Sequence, residues 1–286
     1  MNTGDDFEHF GLHINPDIDT VTYTLAGIAH QGQGWGRGDE QWTVMQELER
    51  LGGESWFKLG DRDIALHLLR TQMLRAGKTL TEVTAYLATQ FGLRHTILPM
   101  SNEPVRTFVE TDEGELAFQD YFVRRRCEPK VRALRYAGAD TAQISEEVAR
   151  ALDDNNLRGV IVCPSNPYLS IEPMLAMPGL RNRLRDLSAP VLAVSPIVGG
   201  RALKGPAAKM MNELGIHNGA LGIARMYGDF INALLIDKQD AALENERVAS
   251  DPQLLIGNIV MTSHESRVEL ARSCLAHLND LSRQHC

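Results

Sequence analysis

The 286-residue chain carries 29 Lys and Arg against 37 Asp and Glu, a formal charge of −8 that argues against a non-specific nucleic-acid binder. Charged residues at 23% and hydrophobic ones at 43% exclude wholesale disorder, and four distant cysteines (Cys127, Cys163, Cys274 and Cys286) offer neither zinc spacing nor a disulfide scaffold. No apolar run approaches the ~20 residues that cross a bilayer, and the acidic opening (Asp5, Asp6, Glu8) has no signal-peptide core, so the expected compartment is the cytoplasm.

The chain opens on Asn2-Thr3-Gly4-Asp5-Asp6. A helix is predicted over 16–27: Pro16 suits its first turn, and Ile18, Val21 and Leu25 recur on one face. Asp17 and Asp19 fall in that first turn, where the helix dipole stabilises anions. With Asp5 and Asp6 they also form an acidic cluster of the kind that holds Mg²⁺, an ion that takes one or two carboxylates plus phosphate oxygens. A second helix is predicted over 61–76, with Ile64, Leu68 and Met73 inward and Gly77 at its end. Leu59-Gly60-Asp61-Arg62-Asp63 leads into it. Asp61 can cap the helix behind it, but Arg62 opposes the dipole. Either its neighbours neutralise Arg62, or it binds something anionic or planar. A third helix starts after Thr79, whose capping box is completed by Glu82, and stops before Gly92. Residues 95–136 read as β. Thr107–Thr111 and Glu115–Val123 flank the turn Asp112-Glu113-Gly114, inside an insertion over about 78–140.

Strands and helices then alternate. VIVC (160–163) reads as a buried strand entering Pro164-Ser165-Asn166-Pro167. PVLAVSP (190–196) enters Ser195-Pro196-Ile197-Val198-Gly199-Gly200. ALLID (233–237) and IGNIVM (256–261) follow, and a last helix begins near Thr262 and Glu265. This alternation predicts an α/β fold: a Rossmann-like, mostly parallel sheet with helices on both faces, plus the hairpin-containing insertion. The two loops follow strands directly, where α/β proteins bind ligands. They are ordinary tight turns, or they present backbone N–H groups to phosphates. Gly205-Pro206 reads as a helix start between Lys204 and Lys209, a candidate anion site without P-loop spacing. His67, His95 and His264 are expected to be structural or exposed, and Met210-Met211 to lie in the core. These features describe a phosphorylated-ligand binder without naming a reaction.

NTGDDFEHFGLHINPDIDTVTYTLAG, WFKLGDRDIALHLLRTQMLRAG, ILPMSNEPVRTFVET, FQDYFV, PSNPYLSI and VSPIVGGRALKGPAAKMMNELG occur in that order. Together they closely resemble the 2-phospho-L-lactate transferase family of coenzyme F-420 biosynthesis, along nearly the whole chain. The resemblance implies a single transferase domain over 1–286 and a Mg²⁺-dependent reaction. A phospho-acid group (phospholactyl, phosphoenolpyruvyl or phosphoglyceryl) passes from a guanosine diphosphate ester to the deazaflavin Fo, and GMP leaves. It places the metal at Asp5, Asp6 and Asp19, with Asp5 or Asp19 as proton acceptor. Asp19 and Arg62 are implied at the deazaflavin. Ser165, Asn166, Ser195, Gly199, Gly200 and Lys204 are implied at the nucleotide and phosphates. A homodimer is a family-based expectation, with neither nucleic acid nor membrane as a partner. Family members usually open with a further strand, a GGxGG loop and a helix. Met1 stands immediately before Asn2 here, so that β-α unit is expected to be absent, with poor folding and lost turnover as the expected result. A non-catalytic nucleotide-binding regulator of a sibling family, or an inactive truncated paralogue, are the alternatives. LGDRD and the QDYFV-like segment favour the transferase.

Overall fold

The computed structural model describes residues 1–30, 32, 35–203, 205–216 and 219–284. Two compact units emerge: 1–148 with 176–178, and 149–175 with 179–286.

In the first unit a short hairpin, β1 (Phe7–His9) and β2 (Leu12–Ile14), turns through Phe10 and Gly11, both at positive φ. Four helices follow: α1 (Pro16–Leu25), α2 (Thr43–Arg50), α3 (Asp61–Arg75) and α4 (Leu80–Gln90). α4 starts as predicted, with Thr79 and Glu82 forming a reciprocal capping box. α2 was not foreseen in the sequence. The inward faces of α1 and α3 differ from the predicted ones. α1 buries Ile18, Asp19, Thr22 and Tyr23 and leaves Leu25 exposed; α3 buries Asp63, Leu66, His67, Arg70 and Thr71 and exposes Leu68. The hydrophobic stripe misleads because these helices bury polar groups that satisfy one another.

The insertion forms a three-stranded antiparallel sheet ordered β4-β3-β5, from β3 (Arg106–Thr111), β4 (Gly114–Ala117) and β5 (Val131–Ala137). The predicted turn is correct: Thr111 pairs with Gly114, whose φ of +117° favours glycine. The second arm ends early. A π-helical turn, Asp120–Arg124, replaces the predicted strand, because Phe118, Gln119 and Tyr121 are all buried, a pattern without the two-residue alternation of a strand. Residues 95–105 are also not a strand. Pro99 and Pro104 interrupt any ladder there, and Met100 N–H donates instead to Met1 O.

α5 (Glu146–Leu152) spans the division between the units. The second unit is built on an all-parallel sheet ordered β11-β10-β7-β6, from β6 (Val160–Val162), β7 (Val191–Val194), β10 (Ala233–Asp237) and β11 (Gln253–Gly257). Between β6 and β7 run α6 (Glu172–Leu175) and α7 (Leu180–Arg185). Between β7 and β10 lie the hairpin β8 (Ile197–Val198) and β9 (Arg201–Ala202), then α8 (Ala207–Glu213) and α9 (Ala220–Tyr227). Alternate residues of the central strands face opposite ways. Leu192, Val194, Ala233 and Leu235 pack against Leu270, Cys274, Leu278 and Leu281 of α10 (His264–Gln284), while α9 packs against β10. The parallel sheet with helices on both faces is the predicted architecture. Two strands depart from expectation. β6 is half-buried because it lies at an edge, and β11 starts and ends earlier than 256–261. Met210 and Met211 are core residues, as predicted. Among the described residues no helix is long and apolar enough to cross a membrane.

Candidate functional site

The opening segment folds around Asn2. Its Oδ1 accepts Gly4 N–H at 2.8 Å, closing a tight turn, and its Nδ2 donates to Asp5 Oδ1 at 3.2 Å and to Asp17 Oδ2 at 3.0 Å. One side chain therefore ties the Asp5-Asp6 motif to the first turn of α1. Gln119 anchors the turn further by donating to Asp5 O at 3.0 Å. Asp6 accepts from Asn15 Nδ2, and His13 Nε2 lies 3.8 Å away. Asp6 Oδ1 and Asn15 Oδ1 are buried without a partner among the described residues.

Burial shifts this cluster. Asp5 is held well above the usual carboxylate range, first by desolvation and then by the charges of Asp17 and Asp6. Desolvation pushes Asp6 up to about 6, against the pull of His13 and Arg106, and also raises Asp17. Asp19 differs. Both its oxygens meet the guanidinium of Arg70, with Oδ2 at 3.0 Å from Nη1, and Arg70 is itself buried. Arg70 Nη1 also reaches His67 Nδ1 at 3.1 Å and donates to His13 O at 3.3 Å.

Asp19 and His67 line a cleft of about 70 Å³ with Tyr23, Trp35, Phe57 and Asp63. Trp35 is half exposed there. Tyr23 OH donates to Asp63 Oδ1 at 2.5 Å; burial raises both groups, taking Asp63 to about 6. Desolvation lowers His67 to about 4.

The LGDRD segment explains how α3 delivers these groups. Its free first-turn N–H groups are met by Glu40, which accepts Arg62 N–H at 2.9 Å and Asp63 N–H at 3.0 Å. Glu40 packs so closely over Gly60 that a Cβ there would lie 2.2 Å from its carboxyl. Asp61 does not cap α3 as predicted. It accepts Thr43 and Val44 N–H at 3.2 and 3.0 Å and caps α2. Arg62 is exposed and paired with Asp39, which neutralises the opposing charge, and it does not line the cleft.

The predicted phosphate-side residues lie in the second unit, in loops at the carboxyl ends of parallel strands. Asn166 Oδ1 accepts Tyr168 and Leu169 N–H at 3.0 and 3.3 Å and caps a π-helical turn, Pro167–Ile171. Ser195 Oγ donates to Ile197 O at 2.8 Å, closing a turn. Gly199 and Gly200, both at positive φ, make the β8–β9 hairpin turn, and Gly199 N–H donates to Asp240 at 2.9 Å. Ser165 is half-buried beside Asn166. Lys204 lies outside the described residues, and Lys209 pairs with Glu213 at 2.8 Å.

The sequence motifs give Asn15, Tyr23 and Arg70 no role, include Asn2 only as part of the opening run, and leave His67 as structural or exposed. Their signal was present on α3: Asp63, His67 and Arg70 recur at helical spacing, a polar stripe on a helix that needs an inward face. The donor chemistry suits Mg²⁺. Asp5 and Asp6 are hard oxygen donors, Asp6 has an orphaned buried oxygen, and burial outweighs the pull of His13 and Arg106 on its carboxyl. Among the described residues no group of three or more His, Cys, Asp or Glu is placed so that together they could hold a metal ion.

A family profile described as 2-phospho-L-lactate transferase CofD matches residues 1–269. The chain is 41% identical to a phosphoenolpyruvate transferase of Kitasatospora aureofaciens, covering 96% of this chain and 87% of that protein. It is 37% identical to a 2-phospho-L-lactate transferase of Methanosarcina mazei, covering 95% and 88%. A solved member of the upf0052 family from Bacillus halodurans shares the fold, with a TM-score of 0.54 at 12% identity over 94% of this chain and 88% of that one.

Proposed function

The chain belongs to the 2-phospho-L-lactate transferase family, and from that premise we propose that it transfers a phospho-acid group from a guanosine diphosphate ester to the deazaflavin Fo, releasing GMP, in coenzyme F-420 biosynthesis. The observation that carries this reading is the buried acid cluster of Asp5, Asp6 and Asp17, joined through α1 to Asp19 at an aromatic-walled cleft. Phosphoryl transfer depends on positioning and charge neutralisation, and the cluster offers both.

The acceptor's terminal hydroxyl oxygen forms the new bond to the acid-bearing phosphorus, the P–O bond to GMP breaks, and the hydroxyl proton passes to a carboxylate. The two candidate acceptors are not equivalent. Both oxygens of Asp19 are engaged by Arg70, whereas Asp5 gives one oxygen to Asn2. Asp5 is thus the freer base, and Asp19 positions the acceptor at the edge of the cleft. Asp5 and Asp6, with the remaining lone pairs of Asp19, would hold Mg²⁺, which supplies charge neutralisation on the phosphate oxygens. Arg62 would meet the deazaflavin after leaving Asp39. Ser165, Asn166, Ser195, Gly199, Gly200 and Lys204 are assigned to the nucleotide and phosphates. Asn166 has an amide to offer there, since among the described residues its Nδ2 makes just a long contact with Met210 Sδ at 3.7 Å.

The test is product identity. The protein is incubated with Mg²⁺, Fo and each of the phospholactyl, phosphoenolpyruvyl and phosphoglyceryl guanosine diphosphates. Mass spectrometry should show an Fo phosphodiester with one of these acids, together with GMP. Nucleotide binding without an Fo product from any donor would favour a regulator and overturn the reading.

A further inference from the structure

Asp63 and His67 stand one turn apart on α3, and both line the cleft. Each has one polar atom committed. Asp63 Oδ1 accepts Tyr23 OH at 2.5 Å, and His67 Nδ1 lies 3.1 Å from Arg70 Nη1. A guanidinium can only donate, so Nδ1 must accept and the ring hydrogen resides on Nε2. Arg70 thereby fixes the tautomer, much as a neighbouring group orients a metal-bound histidine. No described residue accepts from His67 Nε2, and none donates to Asp63 Oδ2. Both residues belong to the lining of the cleft. The cleft face of α3 therefore offers an acceptor and a donor side by side, with Trp35, Tyr23 and Phe57 as aromatic walls.

We infer that His67 and Asp63 together determine acceptor specificity: His67 Nε2–H donates to a ring carbonyl and Asp63 accepts from the adjacent ring N–H, reading the amide edge of a planar heterocycle stacked in the cleft. This rests on the proposed deazaflavin acceptor and deepens it. The pyrimidinedione edge of Fo presents this alternation, while an aromatic ring without an imide does not. Sites built around a ligand's polar groups reject analogues lacking them, because the site's own groups are then left unpaired.

The test is equilibrium binding of Fo, followed by its own absorption or emission, to the wild-type chain, His67→Phe and His67→Gln. An Fo analogue methylated at the imide nitrogen is titrated in parallel. Wild type should bind the methylated ring at least about tenfold more weakly than Fo. His67→Phe should bind Fo about tenfold more weakly while keeping a preference for the free imide N–H, which Asp63 accepts. His67→Gln can accept from Arg70 and still donate, so it should recover most of the loss. Because the methylated analogue tests the unmodified protein, misfolding of His67→Phe does not rescue the proposal. Equal wild-type affinity for both rings overturns it and leaves the acceptor reading standing. If the wild type binds neither ring, the acceptor reading falls and this proposal with it.

Discussion

Asp63 and His67 titrate in opposite senses, and the consequence for stability can be worked out residue by residue. Folded Asp63 keeps its proton to about pH 6, whereas an unfolded aspartate releases it near 4. Between these values the folded chain binds more protons, so stability falls as pH rises. Folded His67 takes a proton only near pH 4, while the unfolded chain takes one below about 6.5. Over that window stability falls as pH drops, so the two slopes oppose. Asp63→Asn should remove the first and gain up to ~3 kcal/mol at pH 7. It should also leave a steeper loss on acidification from about pH 6.5 to 4. Urea melts across that range check this, and parallel pH profiles for parent and variant would contradict it. Arg70 gives a second test. Replacing it with Ala strands the Asp19 carboxylate in a buried position, a change that typically costs ~3–5 kcal/mol. Arg70→Lys should recover only part of that in the same melts, since a single ammonium cannot reproduce the paired contact.

At the level of elements, the caps carry the clearest prediction. Gly60→Ala would drive Glu40 off the start of α3, giving up two N–H partners. We expect a loss of ~1–2 kcal/mol in thermal melts, the usual cost of a lost cap. A full-stability variant would mean that Glu40 shifts without releasing its N–H partners. The capping box of α4 and the Thr111–Gly114 turn were legible in the sequence because local residues alone decide them. α3 was legible as a helix but not in orientation. Its inward residues are charged, and only their distant partners Asp19 and Tyr23 make burial favourable. Asp61 was misplaced for a related reason: it caps α2, whose start lies 18 residues earlier in sequence. The hairpin arm predicted over Glu115–Val123 stops at Ala117 because the consecutive Phe118 and Gln119 are both buried, which a strand does not allow, and only the contact from Gln119 to Asp5 O shows why.

At the scale of the molecule, the parallel sheet of the second unit was readable as short apolar runs, the first two followed directly by loops of small residues. The role of those loops was less readable. Ser195 and Asn166 spend their side-chain oxygens closing local turns, a use that sequence alone does not separate from ligand contact. Family membership supplies the reaction class, while Asn2, linking Asp5 and Asp17, ties the opening motif to the first turn of α1. The central claim is that this acid cluster performs Fo-dependent transfer, with Asp5 as the proton acceptor. The most direct measurement is GMP release with and without Fo, by the wild-type chain and by Asp5→Asn, at saturating donor and Mg²⁺. The account predicts release that requires Fo, falling by about 10²-fold or more in Asp5→Asn while Fo affinity holds. Fo-independent release, or an unchanged rate in Asp5→Asn, would contradict it.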